Sequence, residues 1–210
     1  MRVLVLCDDF WHPARTVRAG LAPLETGEIA FDWVENAAEW SAEQMAGYPL
    51  VVLSKSNNVS SADQTPWMTG PVETAFVDYV RKGNGLLAVH SGTAGYTVSP
   101  DLRALLGGVF DHHPAQCPVT VAPLGTHPIA AGVEVFTALD EHYHMTLDDP
   151  RAEVFLTSTS EHGQQPAGWT CHEGDGRVCV LTPGHNVEVW LQPAFQTLLR
   201  NAVAWCTKTL

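Results

Sequence analysis

A short apolar run that ends in a histidine constrains the fold of this chain more than any other feature. Residues 86–89 are continuously apolar, and His90, Ser91 and Gly92 follow them directly. An uninterrupted apolar run of this length predicts a central strand that is covered on both faces of a parallel sheet. His90 then lies at the carboxyl end of that strand, the edge at which open α/β sheets bind ligands.

Two other apolar runs end near histidines in the same manner. Residues 2–7 predict a first strand, and the polar and aromatic loop after it carries His12. Residues 177–181 predict a late strand, and His185 follows it closely. Because the carboxyl ends of parallel strands share one edge of a sheet, we expect His12, His90 and His185 to lie close together.

The remaining pattern predicts a single α/β domain over residues 1–210. Strand patterns at 31–34 and 50–53 alternate with helical patterns, and helices predicted at 72–81 and 193–206 carry one apolar face each. A glycine-rich turn at 174–176 predicts a hairpin. These elements indicate a flavodoxin-like, three-layer α/β/α fold with a mostly parallel sheet and a β-hairpin in the C-terminal half. The polar stretch 54–70 is predicted to be a long loop, either a lid or a disordered insert.

Composition and charge exclude several partners. The chain has 11 Lys and Arg against 23 Asp and Glu, a net charge of −12, and no basic run, which argues against nucleic acid as a partner. No apolar stretch reaches a membrane-spanning length, and the first one ends too early for a secretory signal. We therefore expect no membrane partner and a cytoplasmic location. Five cysteines without a close-set pair predict reduced thiols, most of them in the core.

The segment 140–144, Asp-Glu-His-Tyr-His, is the densest group of functional side chains. In an extended chain His142 and His144 point to one face and Glu141 and Tyr143 to the other, so only one pair can face a site. Glu141 is a candidate for a general base or a metal-binding carboxylate. The two histidines suit either metal binding or a solvated surface.

Two further segments leave alternatives open. His113, which stands between His112 and a proline, suits a ligand, an acid–base group or a simple turn. Ser91 would need glycines at positions 89 and 93 to form a nucleophile elbow, and the chain has Val89 and Thr93 there. A serine hydrolase is therefore weakly supported, and labelling by a serine-directed reagent would test it.

Short motifs in the same order and spacing along nearly the whole chain resemble the ThuA-like (trehalose-utilisation) family, whose fold is similar to the class I glutamine amidotransferase-like domain. The motifs lie at residues 10–13, 82–92, 106–110, 113–114, 127–129, 140–143, 176–190 and 201–205. The resemblance implies a role in the breakdown of trehalose or related glucosides, in a pathway that passes through 3-keto sugars. Amidotransferase-like relatives carry a nucleophilic cysteine in the turn after the central strand, where this chain has His90. The resemblance therefore argues against glutamine hydrolysis through a thioester.

The residues and the resemblance together predict an enzyme that catalyses a proton-transfer step, of the isomerase, epimerase or lyase type, on a sugar or keto-sugar. The predicted catalytic residues are His90, Glu141 and His185, and substrate contacts are predicted for Asp9, Trp11, His12, Ser91, His113 and Tyr143. His12, His90 and His185 are also candidate ligands of a divalent metal such as zinc, and metal-assisted and metal-free forms both stay open. The alternative is a non-catalytic carbohydrate-binding or regulatory protein. In both cases the expected partner is a small carbohydrate, and homo-oligomerisation is left open.

Overall fold

The structure, a computed structural model, describes residues 1–210 and is built around one nine-stranded sheet and a separate pair of strands. The eleven strands are β1 (Arg2–Leu6), β2 (Ala30–Val34), β3 (Leu50–Leu53), β4 (Gly85–Val89), β5 (Gly108–His112), β6 (Cys117–Pro123), β7 (Phe136–Asp140), β8 (His144–Leu147), β9 (Glu153–Ser160), β10 (Gly163–Glu173) and β11 (Gly176–Leu181). The large sheet has the order β2-β1-β3-β4-β11-β10-β9-β6-β7, and β5 pairs only with β8.

The sheet changes character at β11. The strands β2, β1, β3, β4 and β11 run parallel to one another, whereas β10, β9, β6 and β7 continue the sheet in antiparallel pairs. The predicted α/β fold is confirmed, with β3 and β4 fully buried at its centre and the β10–β11 hairpin in its predicted place. The sequence patterns place extended segments near β6, β7 and β9, but they predict neither the antiparallel order of these strands nor the β5–β8 pair, because strand pairing depends on contacts between distant segments.

Helices cover both faces of the sheet. They are α1 (Ala14–Leu21), α2 (Ala42–Met45), α3 (Gly70–Arg81), α4 (Pro100–Leu106), α5 (Val187–Trp190) and α6 (Pro193–Cys206). Alternate strand residues point to opposite faces, so Val3 and Val5 pack in the cluster that contains α1 and α6, while Leu4 and Leu6 pack in the cluster that contains α3 and α4. Two separate cores result. None of the six helices combines the length and the apolar character that crossing a bilayer requires.

The stretch 54–70 is a long loop, as predicted, and its two ends are packed onto the domain, which argues against a disordered insert. Lys55, Trp67 and Met68 are buried. The Asn57 side chain accepts hydrogen bonds from the backbone N–H groups of Trp67 and Met68, and so ties the two ends of the loop together. Buried aromatic and apolar side chains near its end supply the packing that its polar composition did not reveal.

Candidate active site

Four side chains from distant parts of the chain converge at the carboxyl edge of the parallel strands. His12 follows β1, His90 follows β4, and His185 follows β11, as the sequence predicts. Glu141 directly follows β7, at the far end of the sheet order. One ligand atom from each of the four residues lies within 4.8 Å of those of the others.

His90 is held in a sharp turn between β4 and the 3₁₀ turn His90–Thr93. Its backbone φ is 48°, in the left-handed region that non-glycine residues avoid. The turn lies so close to β3 that a Cβ on Gly92 would come within 2.0 Å of the Leu53 carbonyl oxygen. The Nδ1 atom of His90 lies 2.8 Å from the Thr182 carbonyl oxygen, which can only accept a hydrogen bond. Nδ1 therefore carries the proton, and the Nε2 lone pair faces the centre of the site.

His12 is oriented by Asp9, which lies behind it. The His12 Nδ1 atom lies 2.8 Å from Asp9 Oδ1, and the same carboxylate accepts the backbone N–H groups of Trp11, His12 and Ser56. Burial lowers the pKa of His12, but Asp9 and the nearby Glu141 outweigh burial and raise that pKa to about 9. Burial works against ionisation of Asp9, yet the His12 ring and the backbone N–H groups hold its pKa at about 2. The pair therefore places a strongly basic Nε2 atom in the site.

Glu141 lies among the imidazoles. Its Oε2 atom is 4.0 Å from His12 Nε2, 3.4 Å from His90 Nε2 and 3.1 Å from His185 Nδ1, while Oε1 is 3.5 Å from His113 Nε2. Burial alone would raise the pKa of Glu141, but the imidazoles of His12, His185 and His90 hold it well below the usual range. A carboxylate so firmly ionised is a weak proton acceptor and a good ligand for a cation.

Asp140 joins the end of β7 to the loop that carries His185. Its two carboxylate oxygens accept the backbone N–H groups of Gly184 and His185, each at 2.9 Å. The side chain is buried, and burial raises the pKa of Asp140 despite these bonds. This contact brings the Glu141 segment and the His185 loop to one place, although β7 and β11 are not neighbours in the sheet.

The donor set and spacing fit a divalent metal ion. Nε2 of His12, Nε2 of His90 and Nδ1 of His185 are buried without a hydrogen-bond partner, and unpartnered polar atoms of this kind are rare in proteins. Tetrahedral zinc with ligands at about 2.0 Å separates its ligand atoms by about 3.3 Å, close to the distances from Glu141 to His90 and His185. Three imidazoles and one carboxylate suit zinc and other first-row divalent metals.

A cleft of about 670 Å³ opens in front of the four residues. Its walls include Trp11, His113 and Tyr143, together with the polar segment 56–58 that follows β3. The Tyr143 ring stacks on His90 with the ring centres 4.1 Å apart. A small molecule in this cleft therefore reaches the histidine centre, a stack of aromatic rings and several amide groups at once.

The structure brings most of the predicted site residues together and excludes two groups. His12, His90, Glu141 and His185 form the centre, Asp9 supports it, and Trp11, His113 and Tyr143 line the cleft. Ser91 is a correction: it is fully buried and does not line the cleft, because the turn that presents His90 directs the next residue into the core. His142 and His144 lie away from the site and contact Ser158, Ser160 and Gln165 instead. This agrees with the alternation along the segment, in which only one of the two pairs can face the site.

Sequence reasoning missed the residues that orient the centre. Asp140 lies in the motif at 140–143 but was assigned no role, and the carbonyl of Thr182 has no motif; only the three-dimensional contacts reveal what each does. The segment 56–58 could have been found, because it directly follows a buried strand at the edge where the histidines were expected.

Comparisons with known proteins agree on one family and one fold. Residues 2–206 match the profile of the ThuA family, described as trehalose utilisation. One similar solved structure is a ThuA-like protein from Parabacteroides merdae, with 17% identity and a TM-score of 0.79; the match covers 100% of this chain and 90% of that chain. Another is a ThuA-like protein from Bacteroides uniformis, with 21% identity and a TM-score of 0.76; the match covers 98% of this chain and 91% of that chain. A structure described as a cytoplasmic protein from Salmonella typhimurium is also similar, with 17% identity and a TM-score of 0.69; the match covers 99% of this chain and 98% of that chain. A search of curated protein sequences gives no significant match. At these identities the structural likeness establishes the fold alone.

Proposed function

The chain belongs to the ThuA (trehalose utilisation) family, and we propose that it is an enzyme that catalyses a proton-transfer step, of the isomerase, epimerase or lyase type, on a sugar or keto-sugar. The reaction would take place in the cleft, with assistance from a divalent metal held by His12, His90, Glu141 and His185. The observation that carries the proposal is the convergence of four segments on three unpartnered imidazole nitrogens and one carboxylate. Packing alone gives no reason to bury such a set.

The four residues would hold the metal through His12 Nε2, His90 Nε2, His185 Nδ1 and Glu141 Oε2. A divalent ion held in this way would polarise the carbonyl of a keto-sugar, and so acidify the adjacent C–H bond, if it took the carbonyl oxygen as a fifth ligand. His12 and His90 are fixed by Asp9 and Thr182, so the centre is organised before substrate binds. Because His12, Glu141 and His185 also line the cleft, one side of the centre faces the substrate space.

The residues around the centre supply proton acceptors and sugar contacts. The Nδ1 atom of His113 donates to the Pro114 carbonyl oxygen at 2.7 Å, which leaves the Nε2 lone pair 3.5 Å from Glu141 Oε1. We assign proton transfer to this Nε2 atom of His113 at the cleft wall, since Glu141 is too firmly ionised to accept a proton readily. Asn58 also lines the cleft; its Oδ1 accepts from Ser56 and from the backbone of Phe10, so its amide nitrogen is free to bind a sugar hydroxyl.

The fold itself supports the finer assignment to the class I glutamine amidotransferase-like type. His90 occupies a strained turn directly after the central parallel strand, the place where such folds present their reactive residue. All five cysteines are buried and none lies in that turn, so a cysteine-dependent amidotransferase is not what we propose. We place the reaction in the cytoplasm, in keeping with the description of the similar protein from Salmonella typhimurium.

Hydrogen exchange on a keto-sugar tests the proposed reaction most directly. The zinc-loaded protein would be incubated in D₂O with 3-keto-glucose and 3-keto-trehalose, and NMR would follow deuterium incorporation at the carbons next to the carbonyl. We expect the wild type to exchange or convert at least one keto-sugar. In Glu141→Gln and His90→Ala the rate of this reaction should be at least 100-fold lower. His162→Ala, which replaces an exposed histidine that does not line the cleft, serves as the control and keeps the full rate.

The contrary outcome is equally defined. If the zinc-loaded protein binds these sugars but neither exchanges nor converts any of them, the chain is a non-catalytic carbohydrate-binding protein. Elemental analysis of protein prepared without chelator addresses the metal separately: we expect about one divalent ion per chain, and a value near zero would remove the metal-assisted form.

A further inference from the structure

We infer that the substrate is an uncharged glycoside with a planar, apolar aglycone, and that Trp11 at the mouth of the cleft binds this aglycone and determines specificity. The inference rests on the proposed function, because it takes the histidine centre as the place where the sugar reacts. It adds a second binding position, next to the centre, and a preference for one class of glycoside.

The charges around the cleft favour an uncharged substrate over an anionic one. No Lys or Arg lines it, and the buried Lys55 behind it donates to the backbone carbonyls of Asp8 and Glu35. The two charges of a divalent ion at the centre would be balanced by Glu141 and Asp9. A sugar phosphate or a uronate would therefore meet no unmatched cation, whereas clefts for such ligands supply Arg, Lys or a helix N-terminus.

The outer wall of the cleft is apolar and exposed. Trp11 is 64% exposed and Val98 is 81% exposed, and both line the cleft. Phe110 and Pro66 are further apolar residues of its lining. Large apolar side chains are buried wherever the fold allows, so an exposed group of them beside a polar centre indicates a ligand with an apolar part.

Trp11 is placed at the cleft by two local contacts. Its backbone N–H donates to Asp9 Oδ1 at 2.8 Å, and its ring packs edge-on against Phe10 with the ring centres 4.5 Å apart. Aromatic side chains have only two rotatable bonds, so they bind planar groups at a small cost in conformational entropy.

The position of Trp11 relative to the centre sets the size of the ligand. Trp11 and His12 are adjacent in sequence, and Asp9 Oδ1 binds both the backbone of Trp11 and the ring of His12. The apolar surface and the centre therefore lie within reach of one small molecule. The cleft volume of about 670 Å³ equals that of roughly 20 water molecules at about 30 Å³ each, more than one hexose ring displaces. A sugar at the centre leaves room for a second group on Trp11.

Binding of simple glucosides, measured by isothermal titration calorimetry on the zinc-loaded protein, tests the inference. The probes are phenyl and methyl glucosides in both anomeric forms, with glucose and glucose 6-phosphate. We expect the better phenyl anomer to bind at least tenfold tighter than its methyl counterpart, and glucose 6-phosphate to bind no tighter than glucose. Trp11→Ala should weaken phenyl glucoside binding more than methyl glucoside binding and so remove the preference for phenyl. Trp11→Phe should keep most of this preference.

Leu139→Ala is the matched control, because Leu139 is a similarly exposed apolar residue (57% exposed) that does not line the cleft. The Leu139→Ala protein should prefer phenyl over methyl glucosides as strongly as the wild type does. Equal binding of phenyl and methyl glucosides, no binding of any glucoside, or tighter binding of glucose 6-phosphate would overturn the inference. Metal content and deuterium exchange are measured in experiments separate from glucoside binding. A protein that exchanges keto-sugars without a phenyl preference therefore contradicts only this inference, and one that prefers phenyl glucosides without exchange contradicts only the proposed reaction.

Discussion

Two of the three imidazoles in the centre owe their orientation to an acceptor whose role the sequence does not show. His12 is fixed by Asp9 and His90 by the Thr182 carbonyl, so both present Nε2 to Glu141. The sequence predicts that histidines gather at this edge, because each follows a strand. It does not predict which ring nitrogen faces inward, since that depends on contacts between residues up to 92 positions apart.

Asp9→Asn tests the role of the acceptor behind His12. The substitution keeps the size of the side chain but removes its charge, so His12 loses basicity and a fixed tautomer. We expect zinc affinity, measured by competition with a chromophoric chelator, to fall about 10–100-fold. Asp148→Asn, on an exposed carboxylate that pairs with Arg103, should leave the affinity within twofold. Equal affinities of wild type and Asp9→Asn would show that the acceptor does not matter.

Among the elements, the turn after β4 and the carboxyl end of β7 both position site residues, but only the first is visible in the sequence. The β4 strand and its turn are visible in the sequence, as an apolar run followed by His90 and glycines. The approach of β7 to the β11 loop is not visible, because it depends on Asp140 bridging two strands that are not paired. Long-range contacts of this kind leave no periodic pattern, which is why the sequence assigns no role to Asp140 although it stands next to Glu141 in the same motif.

Gly92→Ala tests the close approach of the β4 turn to β3. The new Cβ would lie 2.0 Å from the Leu53 carbonyl oxygen, so the turn must move. We expect urea denaturation to show a loss of about 1–3 kcal/mol in unfolding free energy, accompanied by weaker zinc binding. Gly27→Ala is the control, because nothing lies within 4 Å of its added Cβ and its backbone is unstrained. A fully stable Gly92→Ala protein with normal zinc binding would refute this tight packing.

Asp140→Ala tests the bridge between β7 and the β11 loop. The change leaves the backbone N–H groups of Gly184 and His185 without their acceptor, and each unpaired buried group costs about 1–3 kcal/mol. We expect unfolding free energy to drop by at least about 2 kcal/mol. Asp140→Asn retains an acceptor oxygen and should lose less. Equal losses for the two variants would mean that the bridge contributes little beyond filling space.

At the scale of the whole molecule, the family and the α/β architecture followed from the sequence, while the extent of the sheet did not. Buried parallel strands such as β3 read as unbroken apolar runs. The patterns at 119–122, 133–138 and 154–159 also predict extended segments near β6, β7 and β9, but they do not show how these strands pair in the sheet. The consequence for function is that segments at opposite ends of the chain, from His12 to His185, must fold together before the centre exists. Metal binding should therefore stabilise the entire domain.

Thermal unfolding measures this coupling. At a free zinc concentration 100 times the dissociation constant, binding contributes about 2.7 kcal/mol, which corresponds to a rise of about 5–10 °C in Tm for a chain of this size. His185→Ala, which removes one ligand, should show less than a third of that rise. A wild-type Tm that does not respond to zinc, manganese, cobalt or nickel would contradict a metal centre that spans the fold.

The metal centre can be located most directly by an anomalous difference map from a crystal grown with zinc. A single strong peak is predicted between His12 Nε2, His90 Nε2, His185 Nδ1 and Glu141 Oε2, within about 2.0–2.2 Å of at least three of these atoms. No peak among these residues, with zinc bound only elsewhere on the protein, would contradict the central claim that they form one metal site.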